Sequence, residues 1–172
     1  MANLVCMIRL LFFRVNLLLF ILISLTMTIV CEKIPDGFYN YKMWLFRERK
    51  WESGGQIYEH FFGVKRWKSK LPDISDFMKW RFNKKHLAQR GSGYLYVFLA
   101  ESCKSEFTHW MIICSTLLFR FWSNFWSTLV IFLLAAILNL PYIIIQRYNR
   151  PRLIRLLSKK HVNEFELSTA KV

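Results

Sequence analysis

Apolar residues in this chain are gathered into long runs rather than spread one face at a time. From Val15 to Cys31, 17 residues pass without a charge, with Arg9 and Arg14 before them and Glu32 and Lys33 after. That is just enough to cross a bilayer core as a helix. A second run, Phe121 to Ile145, holds 25 charge-free residues, which is about 37 Å of helix against a hydrocarbon core of ~30 Å. Phe107 to Phe119 is interrupted only by His109 and closed by Arg120, and its 13 residues alone are too short to span. The first run is an anchor or a signal peptide. Signal peptidase cuts after small residues, and Thr28-Ile29-Val30-Cys31 supplies few of them, which favours a retained anchor.

Polar positions between the runs decide how the shorter one is used. Residues 32 to 105 hold 15 Lys and Arg against eight acids, and the stretch after Ile145 holds seven against two. Both are expected on the cytoplasmic side. A helical hairpin from about Cys103 to Ile145, turning near Arg120 to Asn124, keeps them together; a single span would separate them. The alternative is a two-span protein with the middle segment outside, since long loops can translocate despite their charge. Within that segment Lys33-Ile34-Pro35-Asp36-Gly37 reads as a turn. From Phe38 to Trp51 aromatic and basic residues interleave, as they do again at Phe61 to Trp67 and Phe77 to Phe82. Aromatics with one wet edge and snorkelling cations suit the headgroup region.

The pattern predicts an all-α integral membrane protein acting as a single functional domain. Residues 1–31 form an N-terminal anchor or signal-like helix, 32–102 an amphipathic interfacial segment, 103–145 a C-terminal transmembrane helical hairpin, and 146–172 a basic tail. Composition sharpens this picture. The net charge of +14 alone would suggest nucleic acid, but 54% hydrophobic and 17% aromatic content, with the charge confined to the flanks of apolar runs, excludes that partner. The expected partners are membrane lipids, and the sequence leaves the oligomeric state open. Cys6, Cys31, Cys103 and Cys114 show no paired spacing, so neither a disulfide framework nor a metal site is expected. Phosphate loop, nucleotide fingerprint and Gly-x-Ser-x-Gly elbow are all absent.

Chemistry must then come from polar groups near the membrane. In Glu101-Ser-Cys-Lys-Ser-Glu106-Phe-Thr-His109-Trp110, a helix places Glu106 and His109 on one face, with Glu101 further along it. A carboxylate on one ring nitrogen leaves the other free to take a proton, a general-base arrangement. The plainer role is a histidine satisfied by Glu106 that seats the helix end. Just past the longest run, Arg147-Tyr148-Asn149-Arg150-Pro151-Arg152 presents guanidinium forks suited to phosphate or carboxylate, or serves as an ordinary cytoplasmic charge flank. Asp73 and His86, beside the Trp67-Lys68 turn and Lys84-Lys85, are further candidates.

Taken in order, Ile34-Pro35-Asp36, the Trp67 to Asp73 turn, Lys85-His86-Leu87, the Glu101 to Trp110 cluster and Asn139 to Leu153 make a recognisable series. Over roughly residues 33 to 157 the chain resembles the glycosyl-4,4'-diaponeurosporenoate acyltransferase family of staphyloxanthin-type carotenoid synthesis. The last block is the most specific. The resemblance implies transfer of a fatty acyl group to a sugar hydroxyl of a glycosylated carotenoid acid or similar glycolipid, the final step toward such pigments. It implies no tightly bound cofactor, with acyl-CoA or another activated acyl donor as cosubstrate. On that footing His109, oriented by Glu106, would deprotonate the sugar hydroxyl. Arg147 and Arg150 would hold donor phosphates, and Tyr148 with Asn149 would bind sugar hydroxyls. The alternative from another class is a noncatalytic membrane protein that binds anionic lipid or scaffolds a pigment-synthesis complex.

Overall fold

The computed structural model describes residues 2–71 and 92–169. Every regular element among them is helical. The first helix, α1 (Ala2–Lys33), takes in the whole N-terminal apolar run. A 3-10 turn (Asp36–Phe38) follows, then irregular turns, a second 3-10 segment (Lys50–Gly55) and two short helices, α2 (Gln56–Phe62) and α3 (Val64–Trp67). Two long helices, α4 (Ser92–Ser115) and α5 (Phe125–Thr169), complete the chain, joined by a 3-10 stretch (Thr116–Phe121).

The predicted hairpin is therefore present, with its turn where Arg120 to Asn124 were expected. Backbone N–H groups of Trp122 and Ser123 both donate to the Phe119 carbonyl, and the Asn124 side chain accepts from the Ser127 N–H at 2.8 Å, capping α5. The first arm differs from expectation. It begins at Ser92 rather than near Cys103, because Tyr94 to Ala100 continue the helix without a breaker, so α4 is 24 residues and about 36 Å long. The basic stretch after Ile145, read from the sequence as a tail, continues α5 as helix to Thr169. Among the described residues two helices are long and apolar enough to cross a membrane, over Arg14–Lys33 and Phe125–Lys159.

The chain divides into two compact units. One comprises Met1–Pro35 with Lys104–Ile143, the other Asp36–Cys103 with Ile144–Val172. In the first, Phe20 of α1 is buried with Ile112, Phe119, Ile131 and Ala135, and Leu19, Ile23 and Met27 pack against them. A polar tie lies in the same unit. Asn16 is 2% exposed and donates to Ser123 Oγ at 3.2 Å, while Trp122 Nε1 donates to Asn16 Oδ1 at 3.2 Å. In the second unit Tyr58, Val64, Ile145 and Tyr148 form the core, flanked by Ile57, Trp67, Leu71 and Ile144.

The segment before α2 lies close against α5 because of its glycines. Gly55 has φ +82, and a Cβ there would stand 2.8 Å from the Tyr148 carbonyl oxygen. Only glycine accepts both the left-handed backbone and that approach.

Candidate functional site

In the first unit the candidate site is built around His109 of α4. Its Nδ1 lies 2.7 Å from Asn139 Oδ1, and its ring stacks on Tyr142 with centroids 4.8 Å apart and planes 10° from parallel. Asn139 and Tyr142 are three residues apart on α5, so they share the face that meets the imidazole. The amide is itself fixed: Asn139 Nδ2 donates to the Ala135 carbonyl at 2.8 Å. Turning the amide over would set two oxygens against each other, so Oδ1 must face the ring. Nδ1 then carries the hydrogen, and Nε2 is left as a proton acceptor. This chain of Ala135 carbonyl, Asn139 amide and His109 holds one tautomer.

The sequence expected Glu106 to orient this ring, and the group bonded to Nδ1 is Asn139 instead. Glu106 is buried one turn earlier on α4, and Glu101 is half-buried and belongs to the second unit. The sequence reading did not single out Asn139 as a candidate, although an amide deep in an apolar run is a signal in its own right.

The second unit gathers the arginines, and their geometry divides them. Arg147 Nη2 donates to the Leu45 carbonyl at 2.7 Å, and Nη1 lies 3.2 Å from Glu52 Oε1 and 3.4 Å from the Arg47 carbonyl. Arg150, 2% exposed, donates through Nη1 to the Phe46 carbonyl at 2.9 Å and through Nη2 to the Ser102 carbonyl at 3.0 Å. Glu52 is buried as well; it also accepts from the Arg49 N–H at 2.7 Å and from the Tyr58 hydroxyl. These two arginines bind the chain to itself. The donor-phosphate role that the resemblance implies for them would require breaking those bonds.

Tyr148 is fully buried, with its hydroxyl lacking a hydrogen-bond partner among the described residues. Its ring carries two cations: the Arg152 guanidinium carbon lies 3.9 Å from the centroid and Lys68 Nζ 5.0 Å. Lys68 also reaches Asn149 Oδ1 at 3.5 Å. Arg152 lines an open cleft of about 650 Å³ with Lys65, Ser53, Gln56, Glu59 and His60. Asp73 and His86 lie outside the described residues. No group of three or more candidate metal ligands occurs among the described residues.

Residues 42–159 match the family described as glycosyl-4,4'-diaponeurosporenoate acyltransferase. The chain is 30% identical over 137 residues to the glycosyl-4,4'-diaponeurosporenoate acyltransferase of Staphylococcus aureus strain N315, covering 80% of this chain and 82% of that one. Identity is again 30% to the protein of that name from strain bovine RF122 / ET3-1, and 29% to that from strain USA300, with the same coverage. No solved structure matches the chain. The matched region contains His109, Asn139, Tyr142, Glu52 and the arginines from 147 to 152.

Proposed function

The chain belongs to the glycosyl-4,4'-diaponeurosporenoate acyltransferase family and is an acyltransferase, and from that premise we propose that it is an integral cell-membrane enzyme esterifying a sugar hydroxyl of a glycosylated carotenoid acid or similar glycolipid. Membership decides against the noncatalytic scaffold. Exposed apolar side chains support the bilayer: Leu18, Leu22, Leu25 and Ile29 of α1 and Leu133, Ile137 and Leu138 of α5 are each at least half exposed. A helix serving as a soluble core would bury such residues, and lipid tails cover them at no cost.

The observation that carries the catalytic reading is the fixed tautomer of His109. Its Nε2 takes the proton of the acceptor hydroxyl as the oxygen attacks the acyl carbonyl of the donor, acyl-CoA or another activated acyl carrier. Collapse of the tetrahedral adduct breaks the bond to the leaving group, which recovers the proton from Nε2. The ester forms with no net change in protons on the enzyme. General-base help of this kind is worth about 10²–10⁴ in rate.

The test supplies membranes carrying the protein with a glycolipid acceptor and an activated acyl donor, and follows the ester by mass spectrometry. His109→Gln is expected to slow ester formation by about 100-fold or more. Undiminished transfer by that variant would remove His109 from the mechanism. Comparing lipid extracts of cells with and without the protein identifies the natural acceptor by the acyl ester that is lost.

A further inference from the structure

Once Arg147 and Arg150 are tied to main-chain carbonyls and Glu52, the anionic part of an acyl donor needs other cations, and two face one cleft. Among the described residues, no hydrogen bond or ion pair engages the guanidinium of Arg152 or the ammonium of Lys65. Arg152 lies over the Tyr148 ring. That contact is a cation–π one and takes up none of the guanidinium's five N–H donors in a hydrogen bond to an acceptor atom. The buried ring thus fixes the cation without consuming its hydrogen bonds. Lys68 shares the same ring, placing two positive charges within about 9 Å of each other, a repulsion that an arriving anion relieves.

The cleft that Arg152 and Lys65 line holds about 650 Å³, within the range of about 300–1,000 Å³ usual for small-molecule sites. Ser53 and Gln56 add a hydroxyl and an amide to its wall. Ser53 has φ 48, a left-handed backbone rare for a residue with a side chain, and such strain concentrates where a chain is held for a purpose. Glu59 brings one opposing charge, but its Oε2 already accepts the Lys65 N–H at 3.0 Å, and the two cations outweigh it.

We propose that Arg152 and Lys65 form a phosphate-binding site in this cleft that holds the phosphorylated carrier of the acyl donor. The assignment rests on the acyltransfer reading above and gives the donor its docking place. Phosphate of this kind comes either from a soluble nucleotide thioester such as acyl-CoA or from an anionic lipid headgroup, and the fork of Arg152 suits both.

The experiment uses the full chain in phosphatidylcholine nanodiscs, with free coenzyme A as one probe and nanodiscs containing phosphatidylglycerol as the other. Arg152→Gln and Lys65→Gln are each expected to weaken binding about tenfold or more, as loss of a charged hydrogen-bond donor does, and added salt to weaken wild-type binding. Lys50→Gln, an exposed cation outside the cleft, is expected to change nothing and shows that charge alone is not being read. Coenzyme A binding that depends on Arg152 and Lys65 identifies the soluble carrier. Phosphatidylglycerol enrichment around the protein with the same dependence, and no coenzyme A binding, identifies the headgroup. Equal binding by wild type and both variants, or no binding of either probe by wild type, overturns the site. Ester formation is measured on the same samples. A wild type that makes no ester yet binds through Arg152 and Lys65 removes the acyltransfer reading and leaves the site, whereas active protein with unaffected binding removes the site alone.

Discussion

Asn139 does for His109 what a carboxylate does in many general bases, and it does so without a charge. Replacing it by Leu leaves the Nδ1 hydrogen without its acceptor and frees the ring to adopt the other tautomer. A fall in kcat of about 10- to 100-fold with little change in KM is the expected kinetic outcome if His109 acts as the proposed base, because the amide bonds to that ring. Tyr142→Phe keeps the stacked ring and is expected to retain near-normal kcat, which separates the stacking from any role of the hydroxyl. Arg150 makes a different demand. Its two ends reach the Phe46 and Ser102 carbonyls at once, a span that needs a fork, so Arg150→Lys is expected to destabilise the protein by about 2–4 kcal/mol. Thermal unfolding in detergent checks it; an unchanged melting temperature would show the two carbonyl bonds to be dispensable. None of this was legible in the string of arginines. Apart from Glu52, the acceptors are main-chain carbonyls of residues 45, 46, 47 and 102, and a backbone oxygen carries no residue identity that a sequence could display. The same-helix spacing of Glu106 and His109 was visible, and it pointed to the wrong partner because the true one comes from another helix.

Among the helices, α1 carries the sharpest consequence. Asn16 is buried against Ser123 and Trp122 of the hairpin turn, and Phe20 lies in the core with Phe119 and Ile131. A signal peptide removed after export would leave those groups without their partners. The mature protein is therefore expected to retain α1, and intact-mass measurement of protein purified from membranes checks it; a mass lacking the first thirty or so residues would contradict the packing. Asn16→Leu is expected to cost about 1–3 kcal/mol, because Trp122 Nε1 and Ser123 Oγ lose their acceptor. The apolar runs and the turn between α4 and α5 were legible because bilayer length and charge interruptions are one-dimensional quantities. The start of α4 at Ser92 was not, since Glu101, Lys104 and Glu106 interrupt the hydropathy without interrupting the helix.

For the molecule as a whole, the proposed bilayer setting makes a topological prediction. Residues 32–105 and the chain after Ile145 carry the excess of Lys and Arg, so both are expected on the cytoplasmic side, with α4 and α5 crossing as a pair. Cysteine labelling at positions 60 and 158 from outside intact cells is expected to fail at both and to succeed after permeabilisation. Labelling at 60 alone in intact cells would establish two spans, with the middle segment outside.

The arginines after Ile145 then act at two different times. While the nascent chain is being inserted, Arg147 and Arg150 have not yet met the carbonyls they later occupy, and they count as full charges that hold their flank on the inner side. After folding Arg150 is buried and Arg147 is half-buried against Glu52, so they contribute less to the field at the surface. Arg150→Lys thus parts two events that the finished structure merges: the variant chain is expected to enter the membrane the right way round and then to hold the loop of residues 45–52 on its helix less firmly, through Arg147 alone.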